Sequence, residues 1–389
     1  MLVVGAGPAG ADLACGLARA GASVALVDRI RHPSQAAFSS AALPLEALQR
    51  FGLPAQVVAS RWSGWRLIGP AQQQRHWQHP QPLGAVLDFA ALRQWQLEQA
   101  RLWGAQVRLG WTATATHPDG DGHSTMLRDA TGHRSTIVSR WVVDATGQAR
   151  ALLGDPDEAL VTGVGLEWLL QVEPELWQRW NDQLSFMLGS QWVPQGYGWI
   201  FPMQPGVLKV GVCRLLDPGR DQPPLSRLLQ QFIGRCDLQQ ATVLDRHGGL
   251  IRSTVGRREA HRRGHLIGLG DAVSTANLLG GEGIRHALAS SRALLPLLLE
   301  ALASPSHGSR ILDLYPRHLK RALGWRWSLS GRLARRTWLS LHDNKADRRL
   351  ERLLQGLETT GAEQLSALLF DYRFEAYGVR ALPYVLGWR

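Results

Sequence analysis

The sequence predicts the α/β class in a mixed α+β form: a parallel-sheet unit, an antiparallel sheet inserted into it, and a helical C-terminal region. Three observations predict it. The chain opens strand, glycine turn, small-residue helix, strand, which is the start of a parallel unit. From about residue 152 to 250 the pattern changes to alternating aromatic and apolar residues punctuated by Pro and Gly, as in an antiparallel sheet. After a buried strand at 265–269, the chain becomes mostly helical from Pro305 on.

The elements follow in order. Leu2-Val3-Val4 is a short apolar strand, residues 11–20 a helix built from small side chains, and 24–27 the second strand. A stretch rich in Pro, Gln and Trp covers 54–82. Leu92, Trp95 and Leu102 recur at helical spacing within 88–103, and Gly104 stops that helix. Strands are expected at 107–114, 124–128 and 135–143, and a long helix over about 282–299. These elements divide the chain into a discontinuous first domain (1–60, 88–150 and 250–300), a sheet domain (61–87 and 151–249) and a helical basic tail (301–389).

Composition narrows the classes. The 389 residues are 45% hydrophobic and 19% charged, which excludes a disordered or fibrous chain. Three cysteines without CxxC spacing exclude a disulfide framework and a zinc ribbon, and point to a reducing compartment. No secretory leader is read at the N-terminus, and 293–303, the longest apolar run, is too short to span a bilayer. A cytoplasmic protein is expected, integral in no membrane. Residues 252–389 hold 22 basic and 12 acidic side chains, and so carry +10 of the net +11. Within 317–336 seven basic residues and no acid interleave with Trp325 and Trp327, and Trp338 follows. For a protein acting on an apolar substrate, contact of 317–338 with an anionic membrane explains that pairing better than nucleic acid; a solvated helical face is the competing reading.

Gly5-Ala-Gly7-Pro8-Ala9-Gly10 follows a strand and opens a helix, and Asp28 ends the next strand 23 residues after Gly5. This is the context a Rossmann dinucleotide site requires. The first glycine makes the turn, the second lets a diphosphate approach, the third lets helix and strand pack, and the acid reaches ribose hydroxyls. The motif alone does not separate FAD from NAD. Two later segments do: Trp141-Val-Val-Asp144-Ala-Thr-Gly147, and Gly268-Leu-Gly270-Asp271-Ala272 followed by Asn277-Leu-Leu-Gly280-Gly281-Glu282-Gly283-Ile284. A Gly-Asp turn suits a ribityl chain, and glycines before a helix suit the anionic edge of a reduced flavin.

With these motifs the sequence resembles the FAD-dependent oxidoreductases of the aromatic-hydroxylase-like fold, and among them the geranylgeranyl reductase family. Gln195-Gly-Tyr197-Gly-Trp199-Ile-Phe201-Pro202, followed by Leu208-Lys-Val210-Gly211-Val212, is similar to that family's Tyr-x-Trp-x-Phe-Pro segment and the strand after it. The resemblance spans about 1–299. It implies an FAD-binding domain, aromatics lining a cavity between flavin and substrate, and NAD(P)H as a transient reductant of the flavin. The implied reaction is reduction of a C=C bond in a hydrophobic, isoprenoid- or pigment-like substrate. There are departures. Ser39 stands where the family's cysteine falls, Phe89 where an arginine associated with FAD falls, Met203 in place of a lysine, and Leu278 in place of a proline. A flavin monooxygenase, a redox-neutral lycopene-cyclase-like enzyme and a noncatalytic flavin- or membrane-binding factor therefore stay open.

FAD is expected to be held by Gly5, Gly7, Pro8, Ala9, Gly10, Asp28 and Arg29 at the first turn. Asp144, Gly147, Gly270, Asp271, Gly280, Gly281, Gly283 and Ile284 would serve it in the later segments. Tyr197, Trp199 and Glu282 are the candidate catalytic residues; sheet-core packing competes for the first two and helix capping for the third. No metal-ligand spacing stands out, and no metal is expected.

Overall fold

In the computed structural model, which describes residues 1–375, a six-stranded sheet forms the base of the molecule. Its order is Arg262–Arg263, Leu266–Gly268, Val142–Asp144, Leu2–Val4, Ala25–Asp28, Gln106–Leu109. All neighbours are parallel except the first pair. The chain leaves the central strand Leu2–Val4 toward one side and returns later to its other side. The order thus reverses beside that strand, which puts a crevice at the carboxyl ends of Leu2–Val4 and Val142–Asp144. Helix Pro8–Arg19 starts on a proline and has Ala11 and Ala14 fully buried, so it approaches the sheet closely. Helix Ile284–Ala303 packs beside it, and Leu13, Leu17, Leu294 and Leu298 share one core with Leu2, Leu26, Val142 and Ile267.

The inserted region is a seven-stranded sheet ordered Thr242–Ser253, Val161–Gln171, Val207–Leu215, Gly196–Pro202, Gln183–Leu188, Gly64–Ile68, Gln74–Gln78. It departs from the expected all-antiparallel sheet at one place, where Gln183–Leu188 runs parallel to Gly64–Ile68. Those strands come from distant parts of the chain, so no hairpin turn forces them antiparallel. In a small separate sheet the strand Gly84–Leu87 pairs with Ala42–Pro44 on one side and Val58–Trp62 on the other, so residues 61–87 are shared between two sheets. A third sheet, Trp111–Asp119, Gly122–Asp129 and Arg134–Ser139, is an antiparallel meander.

Period-two alternation gives the seven-stranded sheet two faces. Ile200, Val210 and Val212 pack with Leu229 and Phe232 of helix Leu225–Arg235. Tyr197, Trp199 and Phe201 lie on the other face, and the C-terminal helices close over it. Trp338, Leu341, Leu354 and Leu365 belong to the same core as those aromatics. Arg75, buried on strand Gln74–Gln78, is paired with Glu351 (2.6 Å) and Glu358 (2.7 Å). The region expected as a tail is therefore part of the sheet's core as far as residue 375; 376–389 lie outside the described residues. Helix Tyr315–Ser340 is broken at Gly324 (φ 79°, ψ 164°). Its three tryptophans separate: Trp327 and Trp338 are buried, and Trp325 is 62% exposed. Among the described residues no helix is long and apolar enough to cross a membrane.

Candidate cofactor and active site

Strand Leu2–Val4 delivers the chain to Gly5, whose φ of 110° is a conformation side chains rarely adopt. A Cβ on Gly5 would lie 2.2 Å from the Ala145 carbonyl oxygen, and one on Gly10 would lie 2.0 Å from that of Gly5. Gly7 differs, because a Cβ there would meet nothing within 4 Å. It caps helix Pro8–Arg19 with no side-chain bond, leaving the first N–H groups open to an anion. Asp28 accepts the Ala6 N–H on Oδ2 (2.5 Å) and the Ile30 N–H on Oδ1 (2.9 Å). The carboxylate is thereby fixed beside the turn, with lone pairs left for ribose hydroxyls. Arg29 is exposed.

Helix Phe89–Leu102, capped by Asp88 on the Ala91 N–H (3.0 Å), brings two polar side chains to this turn. Gln96 Nε2 donates to the Pro8 carbonyl (3.2 Å) and Arg93 Nη1 to the Gln35 carbonyl (3.0 Å). Gln96 Oε1 and Arg93 Nε are buried without a partner. An open glycine, free helix N–H groups, a positioned carboxylate and two orphaned polar atoms are satisfied by one kind of group. The residues fit a dinucleotide.

The second glycine loop meets the first turn through Gly270, where a Cβ would come to 3.0 Å from that of Ala9. Asp271 Oδ1 accepts the Thr275 hydroxyl (2.9 Å), and burial pushes this carboxyl above its ordinary value. The loop closes when the Asn277 N–H donates to the Glu282 carbonyl (2.9 Å). Helix Tyr315–Ser340 then fastens it. Asn277 Nδ2 donates to Ser330 Oγ (2.5 Å), and Trp338 Nε1 donates to the carbonyls of Leu278 (3.2 Å) and Leu279 (3.1 Å). At the far end of the loop Glu282 is bidentate to Arg285 (2.6 and 2.9 Å) and accepts the Tyr372 hydroxyl (3.1 Å). Burial alone would raise the Glu282 carboxyl, but Arg285, His286 and Tyr372 outweigh it and hold the group below its ordinary value.

A cavity of about 260 Å³ lies between this loop and the aromatic face of the sheet. Tyr197, Trp199, Phe201, Phe186 and Trp338 line it from the aromatic side, Gly280, Gly281 and Gly283 from the loop, with Pro8, Phe38 and Phe89 beside them. Its polar groups are few. The Tyr197 hydroxyl is hydrogen-bonded to the Cys213 thiol, and burial pushes both up, the thiol to about 12. Trp199 donates its Nε1–H to the buried Glu167 carboxylate (3.1 Å). Gly211 leaves room for that ring, since a Cβ there would stand 2.2 Å from it. Lys209 is buried and donates to the carbonyls of Ser39 (2.8 Å) and Leu87 (3.1 Å), anchoring the segment where the family's cysteine would fall. Asp271 is the one carboxylate among the described lining residues.

The fold thus gathers Pro8, Tyr197, Trp199, Asp271, Gly280, Gly281, Gly283 and Ile284 around one cavity, with Gly5, Gly7, Ala9, Gly10 and Asp28 at the adjoining turn. Two expectations, Asp144 and Glu282, are corrected. Asp144 is fully buried; Oδ1 accepts Thr146 N–H (3.0 Å) and Oγ–H (2.6 Å), and Oδ2 the N–H groups of Leu152 (2.9 Å) and Leu153 (2.7 Å). Its acceptors all serve its own turn, so it pins the strand end. Gly147 starts the short 3₁₀ turn Gly147–Ala149 beside it, and a Cβ there would meet nothing within 4 Å. Glu282 does not line the cavity; its charge is spent on the clamp. Arg93, Gln96 and Trp338 were not foreseen as site residues. Arg93 and Gln96 did leave a signal, being polar positions beside Leu92, Leu97 and Ala100 on a buried helix face.

The FAD binding domain family matches residues 1–154. The digeranylgeranylglycerophospholipid reductase of Haloferax volcanii is 25% identical over 333 residues, covering 81% of this chain and 79% of its own. The menaquinone reductase of Mycobacterium tuberculosis is 27% identical over 359 residues, with coverage of 86% and 83%. Among solved structures, a geranylgeranyl bacteriochlorophyll reductase-like protein from Thermoplasma acidophilum superposes with a TM-score of 0.83 at 19% identity, over 99% of this chain and 98% of that one. The p-nitrophenol 4-monooxygenase of Pseudomonas putida shares the fold at a TM-score of 0.73 and 18% identity, over 95% and 96%. The chain is an FAD-dependent oxidoreductase that is similar over most of its length to reductases of the geranylgeranyl type.

Proposed function

We propose that the protein reduces a carbon–carbon double bond in a hydrophobic, isoprenoid- or pigment-like substrate, with NAD(P)H as the electron source. The observation that carries this reading is the cavity. It sets an aromatic wall against the second glycine loop and offers one carboxylate and one guanidinium, Arg214, whose Nη1 is taken by the Pro223 carbonyl, so it suits an apolar chain better than a charged or polyhydroxylated one. A bound flavin supplies two-electron hydride chemistry there. The fold supplies the rest. Gly7, the N–H groups of helix Pro8–Arg19 and Asp28 would hold the dinucleotide end, and Gly280, Gly281 and Gly283 would bring backbone against the ring. The Tyr197 hydroxyl, like any phenol, is protonated at neutral pH and burial only raises it further; it would hold a proton beside Gly281 for the second half of the addition. Trp199 acts as a wall whose angle is set by Glu167. The balance is one hydride and one proton added across the double bond for each NAD(P)H oxidised.

The test is anaerobic incubation with NADPH and a lipid or pigment extract, followed by mass spectrometry. A gain of two hydrogens is expected. Turnover that requires oxygen and adds an oxygen atom would replace this reading with a monooxygenase, and a product of unchanged mass would replace it with a redox-neutral cyclase. No change in any component, with no bleaching of the flavin, would leave a noncatalytic binding factor.

A peripheral contact with anionic membrane is part of the same reading. Helix Tyr315–Ser340 exposes Trp325 together with Arg317, Lys320, Arg321, Arg332 and Arg335, none of which makes an ion pair among the described residues. Its buried side meanwhile lines the cavity through Trp338. Flotation with phosphatidylglycerol vesicles, and none with phosphatidylcholine, is expected; binding to nucleic acid in place of either vesicle would overturn it.

A further inference from the structure

Arg93 is 6% exposed, yet its bonding is incomplete. Nη1 has the Gln35 carbonyl, while Nε is buried with no acceptor. Among the described residues it makes no ion pair, and the carboxylate that acts on it from a distance is Asp28. Gln96, one turn further along the same helix, shows the complementary deficit. Its amide nitrogen holds the Pro8 carbonyl and its oxygen has no donor. A guanidinium taken out of water without an anion is strongly disfavoured, and an orphaned donor or acceptor adds to that. Packing does not explain the pair, because leucines would fill the space without the desolvation.

Their position says what is missing. Phe89 and Pro8 line the cavity, while Gln35 and Asp28 lie at the far end of the glycine turn. Arg93 stands between these two groups, beside the turn whose Gly7 faces open space. The part of a dinucleotide that bridges a ring in the cavity and a ribose at Asp28 is its diphosphate. A guanidinium fork matches phosphate oxygens, and a carboxamide oxygen can accept from a ribose hydroxyl. We propose that Arg93, with Gln96, is the side-chain ligand for the diphosphate–ribose portion of the cofactor, reaching it from the second turn of helix Phe89–Leu102. The proposal rests on the assignment of FAD above.

Flavin-stripped protein titrated with FAD and with riboflavin, followed by flavin fluorescence, tests it. Arg93→Ala is expected to weaken FAD about 10- to 100-fold, the range of a charged hydrogen-bond set, and to change riboflavin by less than about twofold, because riboflavin has no diphosphate. Arg93→Lys keeps the charge without the fork and is expected to weaken FAD about 3- to 10-fold; it carries the same comparison if the alanine variant does not fold. Equal losses for both flavins would mean that Arg93 only packs the helix, and would overturn the proposal. Unchanged FAD affinity would do the same. Wild-type protein that takes up neither flavin would instead remove the cofactor assignment itself.

Discussion

The two glycine loops around the cavity are held in opposite ways. The first, Gly5 to Gly10, is set by backbone: neighbouring carbonyls leave no room for a Cβ at either end, and its side-chain partner, Asp28, comes from the very next strand. The second, Asn277 to Gly283, is set by side chains arriving from far along the chain: Ser330, Trp338 and Tyr372. A loop of the first kind tolerates no side chain at its two end glycines, Gly5 and Gly10. A loop of the second kind can be loosened by degrees from a distance.

The largest expected effect is at the first loop. Gly5→Ala drives a methyl group into the Ala145 carbonyl at an unfavourable φ and is expected to cost about 4 kcal/mol or more, measured by denaturant unfolding. Gly7→Ala, two residues away, is expected to change stability by less than about 1 kcal/mol while weakening FAD, because its methyl enters open space. Similar destabilisation in both variants would show that the turn is not backbone-limited in the manner described. At the second loop, Trp338→Ala is expected to cost about 3–5 kcal/mol by emptying a packed site. Trp338→Phe keeps most of the packing and removes the bonds to Leu278 and Leu279, costing about 1 kcal/mol. Hydrogen exchange should place that smaller loss in 277–283; uniform loosening would argue against a local clamp.

This contrast also decides what was legible in the sequence. The strand, Gly5-x-Gly7-x-x-Gly10, helix and Asp28 lie within one short stretch, so spacing alone exposed the fold class and the cofactor end. The second loop was visible as glycines before a helix, but its fastenings were not, because Trp338 and Tyr372 act across 60 or more residues. In the sequence Trp327 and Trp338 group with the basic stripe; the structure puts them inside, one beside Asn277 and the other over the loop carbonyls. Asp144 misled for the opposite reason. A carboxylate at a strand end before a glycine turn reads alike whether it faces a ligand or caps its own backbone. Only the hydrogen bonds from Thr146, Leu152 and Leu153 separate the two cases.

Acid separates the loops again. Burial holds His286, beside Glu282 in the clamp, at about 4, and holds His261, whose ring meets Tyr315 edge-on, at about 4 as well. Both lie below the ordinary 6.5, so between those values the unfolded chain takes up protons that the folded protein refuses. Stability is therefore full above about pH 6.5 and falls as pH drops toward 4, by up to about 1.4 kcal/mol per pH unit for each histidine. His286→Phe should remove about half of that slope if the two contribute equally. A slope unchanged in the variant would place the titrating group elsewhere. The smallest effect belongs to the surface. Trp325→Ala is expected to change stability by less than about 0.5 kcal/mol and to abolish flotation with anionic vesicles.

The route of the Glu282 carboxylate, from the glycine loop to Tyr372, also orders events during synthesis. The first loop, its partner Asp28 and the residues it packs against as far as Ala145 leave the ribosome early. The second loop emerges unfastened, and its last partner follows roughly 90 residues later, an interval of about 5–20 s at 5–20 residues per second. Until Trp338 and the helices after it emerge, the aromatic face of the sheet has no cover, and the nascent chain presents its apolar wall to whatever else is in the cell. A ribosome stalled before residue 338 would release a protein able to form the dinucleotide turn and unable to close the chamber it serves.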